Sequence, residues 1–209
     1  MYLYNTQKAP NPRRVRIFLA EKGIDVETRE IDLVKRDHCH PDFLKINPRG
    51  IIPVLVLDDG TVIDESVAIC RYFEALHPDP NLFGTNPQEI GLIESWHRRL
   101  EFDGLSNIAM AFRNHTPFFK DRVASGYFPD CEQKPDLVER GMKLAKHFYG
   151  FFDQHLQGKD YVTCDRFTVA DILGVVMIDF GRWIKLSHND YPNICKWYEK
   201  NAARPSMKA

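Results

Sequence analysis

The stretch that decides the fold is Ile52-Pro53-Val54-Leu55-Val56-Leu57-Asp58-Asp59-Gly60-Thr61-Val62-Ile63-Asp64-Glu65-Ser66. Two β-branched runs flank an Asp-Asp-Gly turn, which predicts strands over 54–57 and 61–63. Because a proline cannot donate a hydrogen bond to a sheet, Pro53 belongs in a tight turn or at the first residue of a strand. If the bond before Pro53 is cis, the backbone of Ile52 turns outward and is free to pair with an extended peptide.

Glu65 and Ser66 stand at the opening of the helix that follows the second strand. The first N–H groups of a helix have no partner within it and lie at the positive end of its dipole, so they stabilise a carboxylate. The Ser66 hydroxyl is a further donor, and the Glu65 carboxylate has the charge to pair with an ammonium group. The stretch therefore predicts a pocket that recognises an amino-acid head group at one end and a peptide bond at the other.

Composition limits the classes of protein that need to be considered. The 209 residues are 44 % apolar and 27 % charged, with a formal net charge of −1, which is typical of a globular protein of one large or two modest domains. We predict that the basic cluster Arg13-Arg14-Val15-Arg16 is the solvated edge of a helix, and we expect no nucleic-acid partner. No stretch approaches the ~20 apolar residues of a spanning helix, and Met1 leads into a strand-like segment without a signal-peptide pattern, so no membrane association is expected.

The cysteine pattern argues against both a disulfide framework and a metal site. The five cysteines are Cys39, Cys70, Cys131, Cys164 and Cys195. They form no C-x-x-C pair and have no metal-like spacing with histidine. We predict reduced thiols, no bound metal and a cytoplasmic protein.

Residues 1 to about 77 alternate between strand and helix patterns. Around the stretch quoted above, the pattern predicts a strand at 1–4, a helix from about Pro12 to Lys22, a strand from Val26 to Asp32, the segment Pro41–Ile46, and a helix from Ser66 to about Leu76. Gly23 is placed to end the first helix. This order predicts a small mixed sheet flanked by helices.

The pattern changes at His77-Pro78-Asp79-Pro80-Asn81, and almost everything after Pro87 has helical periodicity. We predict an N-terminal domain over 1–77, a linker over 78–86 and an all-helical domain over 87–209. The fold class is thus an α/β domain followed by an all-α bundle.

Within the helical half, Thr168 and Asp171 form a capping box that opens a helix. The segment Ile172–Ile178 is apolar nearly all round, which predicts the buried centre of the bundle. Aromatic residues such as Trp96, Phe112, Phe118 and Tyr127 are predicted to lie in the core.

Taken together, the chain resembles the cytosolic glutathione S-transferases, in their theta- or nu-like bacterial and fungal branch. The shared features are I-P-V at 52–54, D-E-S at 64–66, a proline-containing linker, the T-x-x-D box at 168–171, Asp32-Leu33, Pro41-Asp42-Phe43-Leu44, Asn47-Pro48 and Arg204-Pro205-Ser206. The resemblance covers essentially the whole length. It implies a thioredoxin-like N-terminal domain, glutathione as cosubstrate and a detoxifying transferase.

The resemblance also implies roles for individual residues. Ile52 offers its backbone to the cysteinyl unit of glutathione, and Pro53 is the cis proline. Glu65 and Ser66 hold the γ-glutamyl end. His38, with Lys35 near it, faces the glycine carboxylate.

The resemblance implies a homodimer as well. Within the sequence, Arg71 and Tyr72 and the helix from Trp96 to Phe102, which alternates charged and aromatic residues, support that expectation.

The sequence differs from the family pattern at the position that contacts the glutathione sulfur. Such transferases place a Tyr, Ser or Cys after the first strand, whereas the aligned position here is Ala9 or Pro10, neither of which has a side-chain donor. Tyr4 lies too early, and Thr6 is a substitute only if the loop folds differently. Asn11 is our candidate for the group that contacts the glutathione sulfur, assisted by the positive end of the following helix.

Three functions stay open at this point. The leading one is activation of glutathione as a thiolate for attack on a small hydrophobic electrophile. The second is glutathione-dependent reduction of disulfides or peroxides, in which bound glutathione is the only thiol. The third is a non-catalytic glutathione-binding protein that retains the pocket without turnover.

Overall fold

The computed structural model of the protein describes residues 1–124, 126–129 and 131–209. The chain forms two compact units. The α/β unit consists of Met1–Pro80, Arg122–Cys131 and Ala209, and the helical unit consists of Asn81–Asp121 and Glu132–Lys208. The fold class is confirmed, while the domain boundaries at 78–86 stay a prediction.

Among its described residues, the α/β unit contains four strands and three helices. They are β1 (Tyr2–Asn5), α1 (Pro10–Lys22), β2 (Thr28–Glu30), α2 (Pro41–Ile46), β3 (Val54–Val56), β4 (Val62–Asp64) and α3 (Ser66–Leu76), with a short 3₁₀ turn at Asp37–Cys39 before α2. The sheet order is β2-β1-β3-β4. β1 is parallel to β2 and antiparallel to β3, and β3 is antiparallel to β4.

The predicted elements are present, with bounds that differ by a few residues. β2 is shorter than the predicted Val26–Asp32 because it is an edge strand whose only neighbour, β1, has four residues. α1 begins at Pro10 rather than Pro12, since a proline is compatible with the first helical position. The predicted end is confirmed: Gly23 adopts a left-handed conformation with φ 63°, and its N–H donates to the Ala20 carbonyl at 3.2 Å.

The prediction that the basic cluster of α1 forms a solvated edge is wrong. The Arg14 side chain is fully buried, and Arg16 is partly buried with its guanidinium hydrogen-bonded to Asn5 and Thr6. α1 packs against α3, so less of its surface meets water than the charge pattern suggests.

The helical unit contains five α-helices, with a π-helical segment, Leu100–Leu105, joining two of them. The α-helices are α4 (Pro87–Arg99), α5 (Ser106–His115), α6 (Pro135–His155), α7 (Val169–Gly181) and α8 (Pro192–Ala202). Short 3₁₀ turns follow at Pro117–Phe119, Arg182–Ile184 and Pro205–Lys208. Among the residues described, no helix combines the length and apolar character needed to cross a membrane.

α7 is buried along nearly its whole length, as predicted for the centre of the bundle. Its capping box is present, and the fully buried Asp171 carboxylate accepts bonds from Val162 N at 2.8 Å, Thr168 N at 2.9 Å and Trp197 Nε1 at 3.0 Å. Burial raises the pKa of Asp171 to about 6. The box therefore ties the start of α7 to the preceding loop and to α8.

The expectation that the aromatic residues lie in the core holds for only part of the set. Trp96 is buried and Phe112 is partly buried, but Phe118 and Tyr127 are exposed. Phe118 lies in a short turn after α5, and Tyr127 lies in the segment that packs with the α/β unit, so neither is on a core-facing helix surface.

Candidate functional site

The strand register brings the ends of all four strands to one edge of the sheet. Glu30 at the end of β2 lies opposite Asn5 at the end of β1. Tyr4 of β1 lies opposite Val54 at the start of β3, which in turn lies opposite Asp64 at the end of β4. The segments that carry the predicted site residues all adjoin this edge, and those residues are Asn11, Lys35, His38, Ile52, Pro53, Glu65 and Ser66.

The turn before β3 presents a backbone without partners. The Ile52–Pro53 peptide bond is cis. The neighbouring Ile51 carbonyl accepts a bond from Asn47 Nδ2 at 3.0 Å, but none of the described residues hydrogen-bonds the backbone of Ile52. A peptide laid alongside can therefore pair with this residue as an added strand would.

The start of α3 is rich in donors. The first intrahelical bond is donated by Ile69 N to the Glu65 carbonyl, so the N–H groups of residues 66–68 have no acceptor among the described residues. Ser66 is buried, and Glu65, at the N-cap, is exposed with φ 67°. This end of α3 combines helix N–H groups, a hydroxyl and a carboxylate.

Arg49 is a site residue that sequence reasoning missed. Its Nη1 lies 2.8 Å from Asp64 Oδ2 and 2.7 Å from Glu65 Oε1. The two carboxylates follow one another at the end of β4, and Arg49 holds both, which orients the Glu65 side chain. No spacing rule connects Arg49 with Glu65, because the contact depends on how the β3–β4 hairpin folds back.

The start of α1 has few donors. Ala9 occupies the N-cap and makes no side-chain capping bond, and Pro10 and Pro12 lack N–H groups. Since Arg13 N already donates to the Ala9 carbonyl at 3.3 Å, Asn11 supplies the N–H that the first turn leaves open, together with its exposed side-chain amide.

A polar network that sequence reasoning also missed fixes the loop before α1. Asn5 Nδ2 donates to Glu30 Oε2 at 2.9 Å, Arg16 Nη1 donates to Asn5 Oδ1 and to the Thr6 carbonyl at 2.8 Å, and Gln7 N donates to Glu30 Oε1 at 2.8 Å. Asn5 and Thr6 are both buried. The signal in the sequence is Arg16 itself, a cation within the basic cluster for which the pattern predicts a solvated edge.

α8 begins with the same Pro-Asn pair as α1 and shows what such a start can bind. The Asp153 carboxylate accepts bonds from Asn193 N at 2.8 Å, Asn193 Nδ2 at 3.0 Å and Ile194 N at 2.9 Å. Pro192 is the first residue of this helix, as Pro10 is of α1. The molecule thus contains a Pro-Asn helix start that holds an anion through backbone and side-chain donors.

Family comparison identifies the chain. The family described as "Glutathione S-transferase, N-terminal domain" matches residues 9–76, and that described as "Glutathione S-transferase, C-terminal domain" matches residues 112–205. The chain belongs to the glutathione S-transferase family.

Individual relatives cover nearly the whole chain. "Glutathione S-transferase 2" of Saccharomyces cerevisiae is 37 % identical and aligns over 100 % of this chain and 88 % of its own length. The crystal structure of Gtt2 from Saccharomyces cerevisiae is 36 % identical with a TM-score of 0.90, covering 100 % of this chain and 99 % of that one. A class Gtt2 glutathione S-transferase structure from Vibrio parahaemolyticus is 34 % identical with a TM-score of 0.83, covering 100 % and 96 %.

In this glutathione S-transferase, the predicted family, fold class and transferase function are confirmed. The two remaining predicted site residues lie after β2. His38 is partly buried, and burial lowers its pKa below the ordinary value; its Nδ1 is buried without a hydrogen-bond partner among the described residues. Lys35 is exposed, with its Nζ 4.0 Å from Asp32 Oδ2.

Across the described ranges, no cluster of three or more His, Cys, Asp or Glu side chains is arranged as metal ligands. The groups that the sheet edge does offer are hydrogen-bond donors, a carboxylate and an unpartnered strand backbone.

Proposed function

We propose that this glutathione S-transferase binds glutathione along the shared edge of the sheet, with the γ-glutamyl end at α3 and the sulfur at α1. The observation that carries the proposal is the register row Tyr4–Val54–Asp64. In this row the start of β3 lies between β1, which leads into α1, and β4, which leads into α3. The proposed placement has the same order, with the cysteinyl backbone between the sulfur at α1 and the γ-glutamyl end at α3.

The γ-glutamyl end is recognised by α3. Its α-carboxylate accepts bonds from the open N–H groups at 66–68 and from the Ser66 hydroxyl, at the positive end of the helix dipole. Its ammonium pairs with Glu65, which Arg49 holds in place through one carboxylate oxygen. Both charges of the head group are thereby matched.

The peptide part of glutathione is held by the backbone of Ile52 and by the segment after β2. The cysteinyl N–H and C=O pair with Ile52 in the manner of strand addition. His38 and Lys35 face the glycine carboxylate, and Lys35 contributes charge from an exposed position. These contacts leave the cysteinyl sulfur near the start of α1.

Activation of the thiol rests on Asn11. Lowering a thiol pKa from about 8.5 to about 6.5 requires roughly 2.7 kcal/mol of preferential thiolate stabilisation. A hydrogen bond to a charged group contributes about 1.5–3 kcal/mol and a helix N-terminus about 0.3–1 kcal/mol. The contributions of the Asn11 amide and of the helix start together reach this range without the family's hydroxyl or thiol. At α8 the same kind of helix start donates hydrogen bonds to the Asp153 carboxylate.

The activated thiolate attacks a small hydrophobic electrophile and forms a thioether, as expected of a detoxifying enzyme.

A second candidate reaction is glutathione-dependent reduction of disulfides or peroxides. The absence of a hydroxyl or thiol at Ala9 favours it, because the enzyme then supplies no sulfur of its own and bound glutathione is the nucleophile. Two glutathione molecules would reduce one disulfide to two thiols and leave as glutathione disulfide.

The test is a pH titration of thiolate absorbance for glutathione bound to wild-type protein and to Asn11→Ala. We expect a depressed thiol pKa in the wild type and a rise of about 1–2 units in the variant, since the charge-assisted bond is lost. Asn193→Ala is the matched control, because it removes the same residue type from the same position of α8 and leaves the thiol pKa unchanged. Saturable binding with an unshifted thiol pKa in the wild type would contradict activation.

A second experiment tests the placement of the γ-glutamyl end. Ser66→Ala removes a hydroxyl donor to a carboxylate, so we expect the dissociation constant for glutathione to rise about 10-fold or more, measured by isothermal titration calorimetry. Ser106→Ala, at the start of α5, is the control. Equal affinities in wild type and Ser66→Ala would show that the carboxylate lies elsewhere.

We also propose a homodimer and a cytoplasmic location. Phe102 is 61 % exposed beside Arg98, and Phe151 and Leu144 of α6 are exposed apolar side chains of the same unit. Phe102→Asp is expected to give monomers in size-exclusion chromatography with light scattering, while Val34→Asp, at another exposed apolar position, is not. The five cysteines are free thiols, as is usual in a reducing compartment.

A further inference from the structure

Residues 122–131, here called the strap, lie in the sequence between α5 and α6 but pack as part of the α/β unit. The two ends of the strap meet in a β-bridge between Arg122 and Cys131, where Val123 N donates to the Cys131 carbonyl at 3.2 Å. The chain thus leaves the helical unit, crosses a part of the α/β unit and returns. Ser125 and Asp130 lie outside the described residues.

The strap touches the loop that leads to Ile52. Tyr127 N donates to the Arg49 carbonyl at 2.9 Å. A Cβ atom on Gly126 would lie 2.2 Å from the Arg49 carbonyl oxygen and 2.6 Å from Ile51 Cγ2. A Cβ atom on Gly50 would lie 2.8 Å from Tyr127 Cβ and 2.9 Å from Tyr127 N. Both glycines have positive φ, 58° at Gly50 and 84° at Gly126, so two backbones are in contact where neither has room for a side chain.

This contact lies among the residues of the proposed glutathione site. Arg49 pairs with Glu65, Ile51 precedes Ile52, and the His38 carbonyl oxygen is 3.0 Å from the position that a Gly50 Cβ would take. Arg122 also contributes to the lowered pKa of His38. The strap therefore belongs to the neighbourhood of the residues assigned to the peptide and the glycine carboxylate.

The strap presents Tyr127 to a surface cavity of about 370 Å³. Lys35 and Arg36 line the same cavity with Asp37, so its two cationic side chains outnumber the single acidic one. Tyr127 is 57 % exposed, which leaves much of its ring and hydroxyl accessible. A cavity lined by these charges and by an exposed tyrosine fits the end of a ligand that carries a carboxylate.

We propose that Tyr127 is a specificity-determining residue of the glutathione site, which discriminates the tripeptide from shorter thiol peptides at its glycine end. The inference rests on the proposed placement of glutathione along the sheet edge. Tyr127 packs against the glycine unit, while Lys35, which lines the same cavity, takes its carboxylate. Gly50 and Gly126 set the position of Tyr127 by allowing the strap to dock.

The experiment compares glutathione with γ-glutamylcysteine, which lacks the glycine unit, by isothermal titration calorimetry. For Tyr127→Ala we expect glutathione to bind about 5–10-fold more weakly and γ-glutamylcysteine to bind as in the wild type. Phe128→Ala is the matched control, because Phe128 is the next residue of the strap, is equally exposed at 56 % and does not line the cavity. It should leave both affinities unchanged.

A second pair of variants tests the docking contact. Gly126→Ala places a Cβ against the Arg49 carbonyl, whereas Gly158→Ala introduces the same strain of positive φ, 72°, with no atom within 4 Å. We expect Gly126→Ala to reduce the preference for glutathione as Tyr127→Ala does, and Gly158→Ala to leave it intact.

The outcomes separate this inference from the proposed function. If Tyr127→Ala weakens both peptides equally, or neither, the strap has only a structural role and the inference is wrong. If wild-type protein does not bind glutathione, or Ser66→Ala has no effect on binding, the proposed placement of glutathione itself is wrong.

Discussion

α1 and α8 begin with the same residue pair, yet they differ in whether a side chain of the protein accepts hydrogen bonds from the first turn. Both begin with Pro-Asn, and neither has a side-chain N-cap, since Ala9 and Tyr191 make no capping bond. At α8 the Asp153 carboxylate takes up the donors of Asn193 and the next residue. At α1 no described residue takes up the donors of Asn11.

The difference teaches how one local motif serves structure in one unit and binding in the other. A helix start attracts an anion whatever its source, through the same unpaired N–H groups and dipole. In the helical unit, α6 supplies that anion as Asp153 and joins two helices. In the α/β unit, the anion must come from solution, and the thiolate of glutathione is the one that our placement brings there.

The largest expected effect comes from removing the carboxylate that accepts hydrogen bonds from the start of α8. Asp153→Ala removes three hydrogen bonds to a charged group, so we expect the free energy of unfolding to fall by about 3 kcal/mol. Urea unfolding measures the change. Asp136→Ala, in the first turn of α6, is the control. A loss below about 0.5 kcal/mol, typical of an ordinary surface substitution, would mean that a Pro-Asn start binds anions too weakly to activate a thiol.

Filling the missing cap of α1 is expected to have a smaller effect. Ala9→Ser supplies an N-cap hydroxyl, which stabilises a helix by about 1 kcal/mol relative to alanine. The free energy of unfolding should rise by that amount in urea titrations. The new hydroxyl would bond either to the helix or to the sulfur, so an unchanged stability together with a lowered thiol pKa would show that it faces glutathione instead of capping α1.

The smallest expected effect concerns a difference in backbone donors between the two helix starts. α8 has Ile194 where α1 has Pro12, so α1 lacks a donor that α8 uses. Pro12→Ala restores this N–H, and we expect the pKa of the bound thiol to fall by roughly 0.2–0.7 unit, corresponding to about 0.3–1 kcal/mol. Pro192→Ala is the control at α8. A rise in the thiol pKa would show that the N–H of residue 12 does not point at the sulfur.

The architecture of the α/β unit could be predicted because its signals are local. Pro53, the Asp-Asp-Gly turn and Gly23 each restrict the backbone where they stand, and the element order then leaves few ways to form a sheet. The same holds for the capping box at Thr168, whose partners are three residues apart.

Site features made by residues distant in sequence could not be predicted in this way. Arg16 was assigned to solvent because an arginine in a basic cluster is usually exposed, yet the end of β1 offers it Asn5 as an acceptor. Arg49 pairs with Glu65 through the fold of a hairpin, and Tyr127 joins the α/β unit from the helical half of the sequence. None of these contacts produces a periodic pattern in the sequence from which it could be predicted.

The strap has a consequence for how such enzymes can be recombined. A chimera that takes residues 1–80 from one relative and the remainder from another would inherit Gly50 and Gly126 from different parents. If either parent carries a larger residue at its position, the Cβ of that residue would lie less than 3 Å from the facing segment. Exchanging the first domain between family members therefore requires the crossover to carry residues 122–131 with it, although they lie well beyond Pro80 in the sequence.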